Sequence, residues 1–482
     1  MNVTASQKNI SNGTSKIKET EGVKTLLGEP KKAVLKLAIP MIIAMSATTI
    51  YNLVDALWVS GFGADFFSGT DVAEVGTGAL AAVGFVLPFF MMIMAISTGL
   101  GVGGGSAISR RIGAKDKEGA DNVAIHTMII TMIVAIVFTL ALFFFADIIF
   151  VSIGTTESAG MAVSYGKVIF AGSFVLFFTN VAYAILRSEG DAKRAMYAMM
   201  FGAGLNIALD PIFIYIFKMG VTGAAYATVL SMGTTSAVLV YWLFFRKDTY
   251  VSFNFRDFNF KKDIIKDIFR VGLPASVQQL SMSITMLFII IVIAIVGNGD
   301  SGVAIYNTGW RIVMIAVLPL LGIATAVISV GGTAFGARSY EKLKTVFMYS
   351  IKIGLIAETI IAAAIFILAP MITAAFTTSD PSMVEGLLQF LRITCLFYPG
   401  AALGISSSSI FQSTGKGTYS LVATLLRTVI LTPIFALLFA VTFNMGFVGI
   451  WYALVVANLI GSMVSFTWAR LYISKLTKTK MR

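Results

Sequence analysis

Charge is scarce in this chain. Only 12% of its 482 residues are Asp, Glu, Lys or Arg, about half the share found in soluble domains. Apolar types make up 57%, mean hydropathy is +0.86, and long apolar runs recur over nearly the whole length. A soluble globular fold is thereby excluded and a polytopic helical membrane protein is expected. Cys395 is the only cysteine, which rules out an intramolecular disulfide and a thiolate metal site; in its apolar run it reads as a small buried residue. His126 is the only histidine, so no His-based metal site can be built, and it reads as structural. No G-x-x-x-x-G-K-[ST] motif occurs, so the chain has no phosphate loop of its own for ATP. The alternation of a transmembrane β-barrel is missing from runs such as 129–137. Proline is rare, ten residues against 44 glycines, which suits close packing of apolar helices.

What is present is a series of apolar spans, placed at 35–59, 77–105, 123–151, 159–186, 195–217, 221–245, 268–296, 303–331, 345–370, 386–412, 419–442 and 447–472. The expected fold is all-α and integral to the membrane, with about twelve transmembrane helices. Alternate connections carry the Lys and Arg, for example Arg110 to Lys117, Arg187 to Arg194 and Arg246 to Lys266, with Lys218 the main exception on the other side. The net charge of +12 is therefore read as topology, with both termini cytoplasmic, and not as a nucleic-acid surface. Residues 1–33 read as a mobile polar cytoplasmic tail without the pattern of a signal peptide. The glycosylation triplets at Asn2, Asn9 and Asn12 would go unused there. Residues 34–245 form a first six-helix lobe and 268–472 a second. Residues 246–267 are expected as a partly helical linker at the cytoplasmic surface, and 473–482 as a basic tail.

The two halves repeat each other. Leu37-Ala38-Ile39-Pro40 resembles Val271-Gly272-Leu273-Pro274. Gly113-Ala114-Lys115 matches Gly336-Ala337-Arg338, and Ser188-Glu189-Gly190 matches Ser413-Thr414-Gly415. Asp210-Pro211-Ile212-Phe213 matches Thr432-Pro433-Ile434-Phe435, and Met219-Gly220 matches Met445-Gly446. The offset stays near about 225 residues, as in duplicated transporter halves. Six spans per half gives both repeats one orientation, hence a pseudo-two-fold along the membrane normal and a cavity between the lobes.

Within this shell Asn206 and Asp210 share one helix face, being four residues apart. Pro211 lacks an N–H and frees the carbonyl of Ile207. An acid in hydrocarbon is costly and marks an ion path by default. The repeat acts as an internal control: it lays Ile289 over Asp55, Thr428 over Asn206, Thr432 over Asp210 and Leu454 over Thr228. These polar groups belong to the first half alone, which places an ion site in the N-terminal lobe. At 1.5 Å per residue, Asp210 and Thr228 each lie ~10 Å from the outer ends of their spans, and Asp55 is also near the outer end of its own.

These residues, with the Leu37–Pro40 opening, the Gly113–Lys115 loop and Leu186-Arg187-Ser188-Glu189-Gly190, resemble the multidrug and toxic compound extrusion (MATE) family over about residues 33–472. The spacing of Asp55, Asn206, Asp210 and Thr228 is similar to the cation site of its DinF-like branch; spans seven and ten lack the acids of the NorM-like branch. The resemblance implies a cation-coupled antiporter, not an enzyme, that exports amphipathic, often cationic compounds by alternating access. It implies no cofactor beyond the coupling ion. Asp55, Asn206, Asp210 and Thr228 are then the cation-coupling set, their four oxygen groups suiting H+ or, as a metal site, Na+. Tyr165 and Asn180 are candidate cavity residues, and Pro40 and Pro211 candidate hinges. Expected partners are small amphipathic or cationic molecules and membrane lipid, with no nucleic acid. The chain is expected to work as a monomer in the cell membrane.

Other residues carry rival readings. Glu358 is the rival coupling acid. Arg311, Arg392 and Arg427 default to pairing with backbone or headgroups, with an anionic substrate as the alternative. They also keep open a flippase for lipid-linked oligosaccharide, which needs a basic cavity. The run Gly99-Leu100-Gly101-Val102-Gly103-Gly104 fits a dinucleotide fingerprint formally, but it follows no strand and reads as packing glycines. The 23 methionines, Met91-Met92 and Met199-Met200 among them, suit an adaptable cavity or plain core.

Overall fold

The computed structural model describes residues 20–63, 75–152, 158–246, 248–296, 299–376 and 381–481. Asn2, Asn9, Asn12, Lys247 and Arg482 lie outside them. All regular elements among the described residues are helical. Twelve helices are long and apolar enough to cross a membrane. The first six are Pro30–Val59, Gly78–Gly113, Lys117–Phe150, Gly160–Ser188, Ala192–Ile216 and Gly220–Phe245; the second six are Lys262–Ile295, Leu318–Gly336, Tyr340–Ala374, Met383–Ser413, Gly417–Thr442 and Gly446–Thr479.

Proline decides where the spans are interrupted. Helix Gly299–Ala316 stops at Val317 and restarts at Leu318 with Pro319 in its first turn. The tenth span runs as Pro381–Thr394, a 3-10 turn at Cys395–Phe397, and then Tyr398–Ser413 with Pro399 in its first turn. A proline cannot donate to the carbonyl four residues back and collides with it, so the helix re-starts at its first turn, where the missing N–H costs nothing. Pro40, Pro88 and Pro274 instead lie inside unbroken helices. The eighth and tenth spans are thus segmented where the sequence suggested single rods.

The lobes meet along spans one and two of the first half and spans seven and eight of the second. Glycine makes that seam. A Cβ on Gly103 would stand 2.4 Å from the Ile268 carbonyl oxygen, on Gly113 2.0 Å from that of Thr333, and on Gly336 1.9 Å from that of Arg110. Gly99 faces Ser276 and Gly272 in the same way, and Gly322 faces Ile42 and the Ala38 carbonyl. The glycine run 99–104 is therefore packing surface. Two polar bonds cross nearby: Ser106 Oγ donates to the Gln412 carbonyl at 2.5 Å, and Arg110 pairs with Asp267 at 2.7 Å. These contacts lie from mid-helix to the ends that carry the basic loops, so the cleft is closed at the basic end.

That end is also braced by chain outside the spans. Glu21–Leu27 is a short helix capped by Thr20, with Val23 and Leu26 buried, so this part of the expected tail is packed. A Cβ on Gly22 would meet the Glu189 carbonyl at 2.6 Å, and Lys342 donates to the Leu27 carbonyl at 3.0 Å. Within 246–267, Phe255–Asp257 is a 3-10 turn and the helix Lys262–Ile295 begins; ahead of that helix, side chains of the first lobe take up the backbone. Glu189 accepts from Val251 N at 2.9 Å and Asp121 from Ser252 N at 2.8 Å. His126 Nε2 accepts from Lys261 N at 3.1 Å, and its ring lies against Phe258 and Phe260.

Two expectations follow. Gly336→Ala forces a methyl into the Arg110 carbonyl and should cost about 1–3 kcal/mol, the usual penalty of overpacking; an unchanged melting temperature would show that the seam relaxes freely. Burial pushes the Glu189 carboxyl up to about 8. The unfolded chain releases that proton near the ordinary glutamate value, so between the two values the folded state holds more protons and loses stability as pH rises. Glu189→Gln, which keeps an acceptor but cannot ionise, should therefore gain on the parent in melting temperature from about pH 5 to about pH 8. A difference that stays flat across that range contradicts this.

Candidate functional site

The structure assembles a polar cluster inside the first lobe from spans one, five and six. Asp210 and Asn206 are buried one helical turn apart on span five, and Thr228 is buried on span six. With its amide turned so that both neighbours are satisfied, Asn206 donates to Asp210 Oδ2 at 3.1 Å. Its oxygen then accepts from Thr228 N at 3.2 Å and from Thr228 Oγ1 at 3.3 Å. Asn206 is thus the bridge between the acid and the neighbouring helix. Local sequence explains the geometry. The i, i+4 spacing stacks Asn206 and Asp210, and Pro211 ends the regular ladder, after which Ile212–Ile216 forms a π-helical turn.

Span one brings Asp55 to Asp210, with the two side chains within hydrogen-bonding reach of each other. Two carboxyl groups can share a hydrogen bond only if one of them carries a proton, because an ionised carboxylate has acceptors alone. Asp55 Oδ1 and Asp210 Oδ1 are both sealed from solvent, and neither receives an N–H or hydroxyl donor from the described residues. Those orphan oxygens fit a proton or a hard cation. A larger acidic metal centre is a different matter: no group of three His, Cys, Asp or Glu side chains gathers among the described residues.

The outer end of span one is clamped to span five. Tyr215, in the π-helical turn, donates to the Trp58 carbonyl at 2.5 Å and accepts from Gly63 N at 3.2 Å. The Trp58 and Tyr215 rings meet edge-on at 6.2 Å. Tyr165 on span four and Tyr51, one turn before Asp55 on span one, both lie within electrostatic reach of the two acids. Tyr51 and Tyr215 were missed by sequence reasoning. The signal for Tyr51 was its i, i+4 spacing from Asp55, while Tyr215 had none beyond its place after Pro211.

Not every candidate joins the cluster. Asn180 bonds Met94 Sδ at 3.4 Å, Ser97 Oγ at 3.3 Å and the Leu176 carbonyl at 3.1 Å, so it ties span four to span two. Pro40 is buried in span one beside the place where Ala38 and Ile42 meet Gly322. Glu358 is buried in span nine with both oxygens unpaired among the described residues. Arg311 and Arg392 are exposed, Arg392 over the Phe366 ring at 5.4 Å, and of the three arginines only Arg427 is buried.

Comparison with known proteins adds independent findings. The family model described as MatE matches residues 66–212 and 274–438, one block in each lobe. The multidrug export protein MepA of Staphylococcus aureus is 27% identical over 453 residues, covering 92% of this chain and 95% of MepA. Two solved structures are each 46% identical with a TM-score of 0.90, covering 95% of this chain and 99% of theirs. One is a MOP superfamily transporter from Pyrococcus furiosus, described as having a binding pocket of reverse polarity that suggests a different function. The other is the outward-facing conformation of a multidrug resistance MATE family transporter.

The cluster makes a stability prediction of its own. Asn206→Leu keeps the branched heavy-atom shape but strips Asp210 and Thr228 of their bridge. Leaving buried polar groups unpaired should cost about 1–3 kcal/mol, measured as a fall in melting temperature. A variant as stable as the parent would mean that Asn206 does not bridge the two helices.

Proposed function

This chain belongs to the MATE family of membrane transporters, and we propose that it exports small amphipathic, often cationic compounds in exchange for H+ or Na+. As a member of that family it is a transporter and not an enzyme. The observation that carries the coupling reading is the buried Asp55–Asp210 contact with one orphan oxygen on each carboxyl. An acid pair in a low-dielectric bundle is tolerable only when partly neutralised, so loading and unloading a positive ion changes how tightly spans one and five can lie together.

The working cycle follows from that. With the basic end closed, the pair takes up its ion from the opposite side. Neutralisation draws span one onto span five and displaces the compound. Pro40 is the hinge, because the inner part of span one is held on Gly322 while its outer part carries Asp55. Pro211 and the π-helical turn after it give span five matching freedom. Thr228 and Asn206 supply the neutral oxygens, Tyr165 lines the ion site, and Asn180 keeps span four in register with span two. The lobes then rock to face inward. The Lys and Arg bias supports a basic end in the cytoplasm, both termini with it, in a multi-pass cell-membrane protein, and our reading has it act as a monomer. The likeness to MepA and to the multidrug resistance MATE transporter supports export as the direction.

A flippase for lipid-linked sugars is the weaker reading. It needs several cations around one cavity, and Arg311 and Arg392 stand exposed, apart from the buried Arg427.

Drug efflux from proteoliposomes under separately imposed pH and sodium gradients tests the proposal. One gradient should drive efflux, and Asp210→Asn should cut the driven component at least about tenfold, as should Asp55→Asn, in keeping with an intramembrane acid on the ion path. Full gradient-driven efflux by Asp210→Asn would remove the coupling role.

A further inference from the structure

The second lobe buries a cation that no anion among the described residues pairs with. Arg427 lies on span eleven in the π-helical turn Leu426–Leu431 and is 9% exposed. Its guanidinium has no ion pair or hydrogen bond among the described residues, and its Nε is sealed from solvent. Glycines make the room. A Cβ on Gly404 of span ten would stand 2.5 Å from Arg427 Nη1 and 2.6 Å from Ser462 Oγ of span twelve. One on Gly461 would stand 2.6 Å from the Arg427 Cβ. Ser462 in turn donates to Asn458 Oδ1 at 3.3 Å. Glu358, the buried acid of this lobe, lies instead beside Tyr398.

A guanidinium does not shed its proton as a buried lysine can. An unpaired one enclosed by three helices is therefore not silenced by neutralisation, and a buried charge without a partner is strongly disfavoured. No acid among the described residues answers it, so a bound anion would meet an unmatched charge there. The repeat fixes the position: Thr428 is laid over Asn206, so Arg427 is one residue from the counterpart of the first lobe's acid cluster. Corresponding spans of the two lobes thus carry opposite charge one residue apart in the alignment, about 100° around the helix.

We propose that Arg427 is an anion-binding site that receives the carboxylate of a transported amphiphile, the planar fork of the guanidinium matching both carboxylate oxygens. The proposal rests on the export reading and narrows its substrates to include amphiphiles that carry an acid group. Gly404 leaves beside Nη1 the room that a side chain would fill.

The test is equilibrium binding to the purified full-length protein, using a carboxyl rhodamine and its methyl ester. The parent should prefer the free acid. Arg427→Gln should lower the acid-to-ester affinity ratio at least tenfold, Arg427→Lys less, and Gly404→Ala should also lower it by crowding Nη1 with the arginine retained. A parent that does not bind the acid, or a ratio unchanged in folded Arg427→Gln and Gly404→Ala, overturns the site. Repeating the titration with gluconate in place of chloride, and without anionic phospholipid, separates the sources. A preference that persists in all conditions supports a substrate carboxylate. One that appears only when chloride or anionic lipid is removed overturns that assignment in favour of a resident counter-ion. Efflux of the ester by the parent is read separately in vesicles, so failure of export and failure of this site are told apart.

Discussion

Two acids pressed together inside an apolar bundle set the terms for the first lobe. The contact between Asp55 and Asp210 exists only while some positive ion, at the least a proton, reduces their charge. Its partners are arranged around that requirement. Asn206 turns its donor to Asp210 and its acceptor to Thr228, which fixes the position of one acid without cancelling its charge. Tyr215 ties the end of span one to span five through the Trp58 carbonyl, so the second acid cannot drift. A strong basic partner would have made a more stable core and a poorer carrier, since a guanidinium in that place would leave nothing for a mobile ion to do.

The duplicated halves have diverged in charge and in stiffness. The acid cluster of the first lobe is matched in the second by Thr428, Thr432 and Leu454, with Arg427 beside them. Spans one and two carry Pro40 and Pro88 without a break, whereas the eighth and tenth spans are segmented at Pro319 and Pro399.

Much of this was legible in the sequence. Apolar length alone placed the twelve spans, because lipid leaves the backbone no alternative to closed helices. The i, i+4 pair Asn206 and Asp210, and the absence of their counterparts in the second half, pointed to the cluster before any coordinates. Contacts between distant spans were not legible. Nothing in the sequence says that Tyr51 and Tyr165 look onto the same two acids, or that Asn180 bonds Ser97 instead. The breaks at Val317 and Cys395–Phe397 were missed because the apolar pattern runs through them. Glu21–Leu27 was missed because a seven-residue helix has too few turns to show a period and is held by its docking on Glu189 and Lys342.

The glycine seam between the lobes has a mechanical consequence. Where Gly103, Gly113 and Gly336 touch carbonyl groups of the facing helix, backbone lies on backbone, so those contacts could part and re-form with no rotamer of their own to change. The work of opening is then set mostly by surface area and by two polar latches, Ser106 with Gln412 and Arg110 with Asp267. A gate of that kind can cycle repeatedly without jamming.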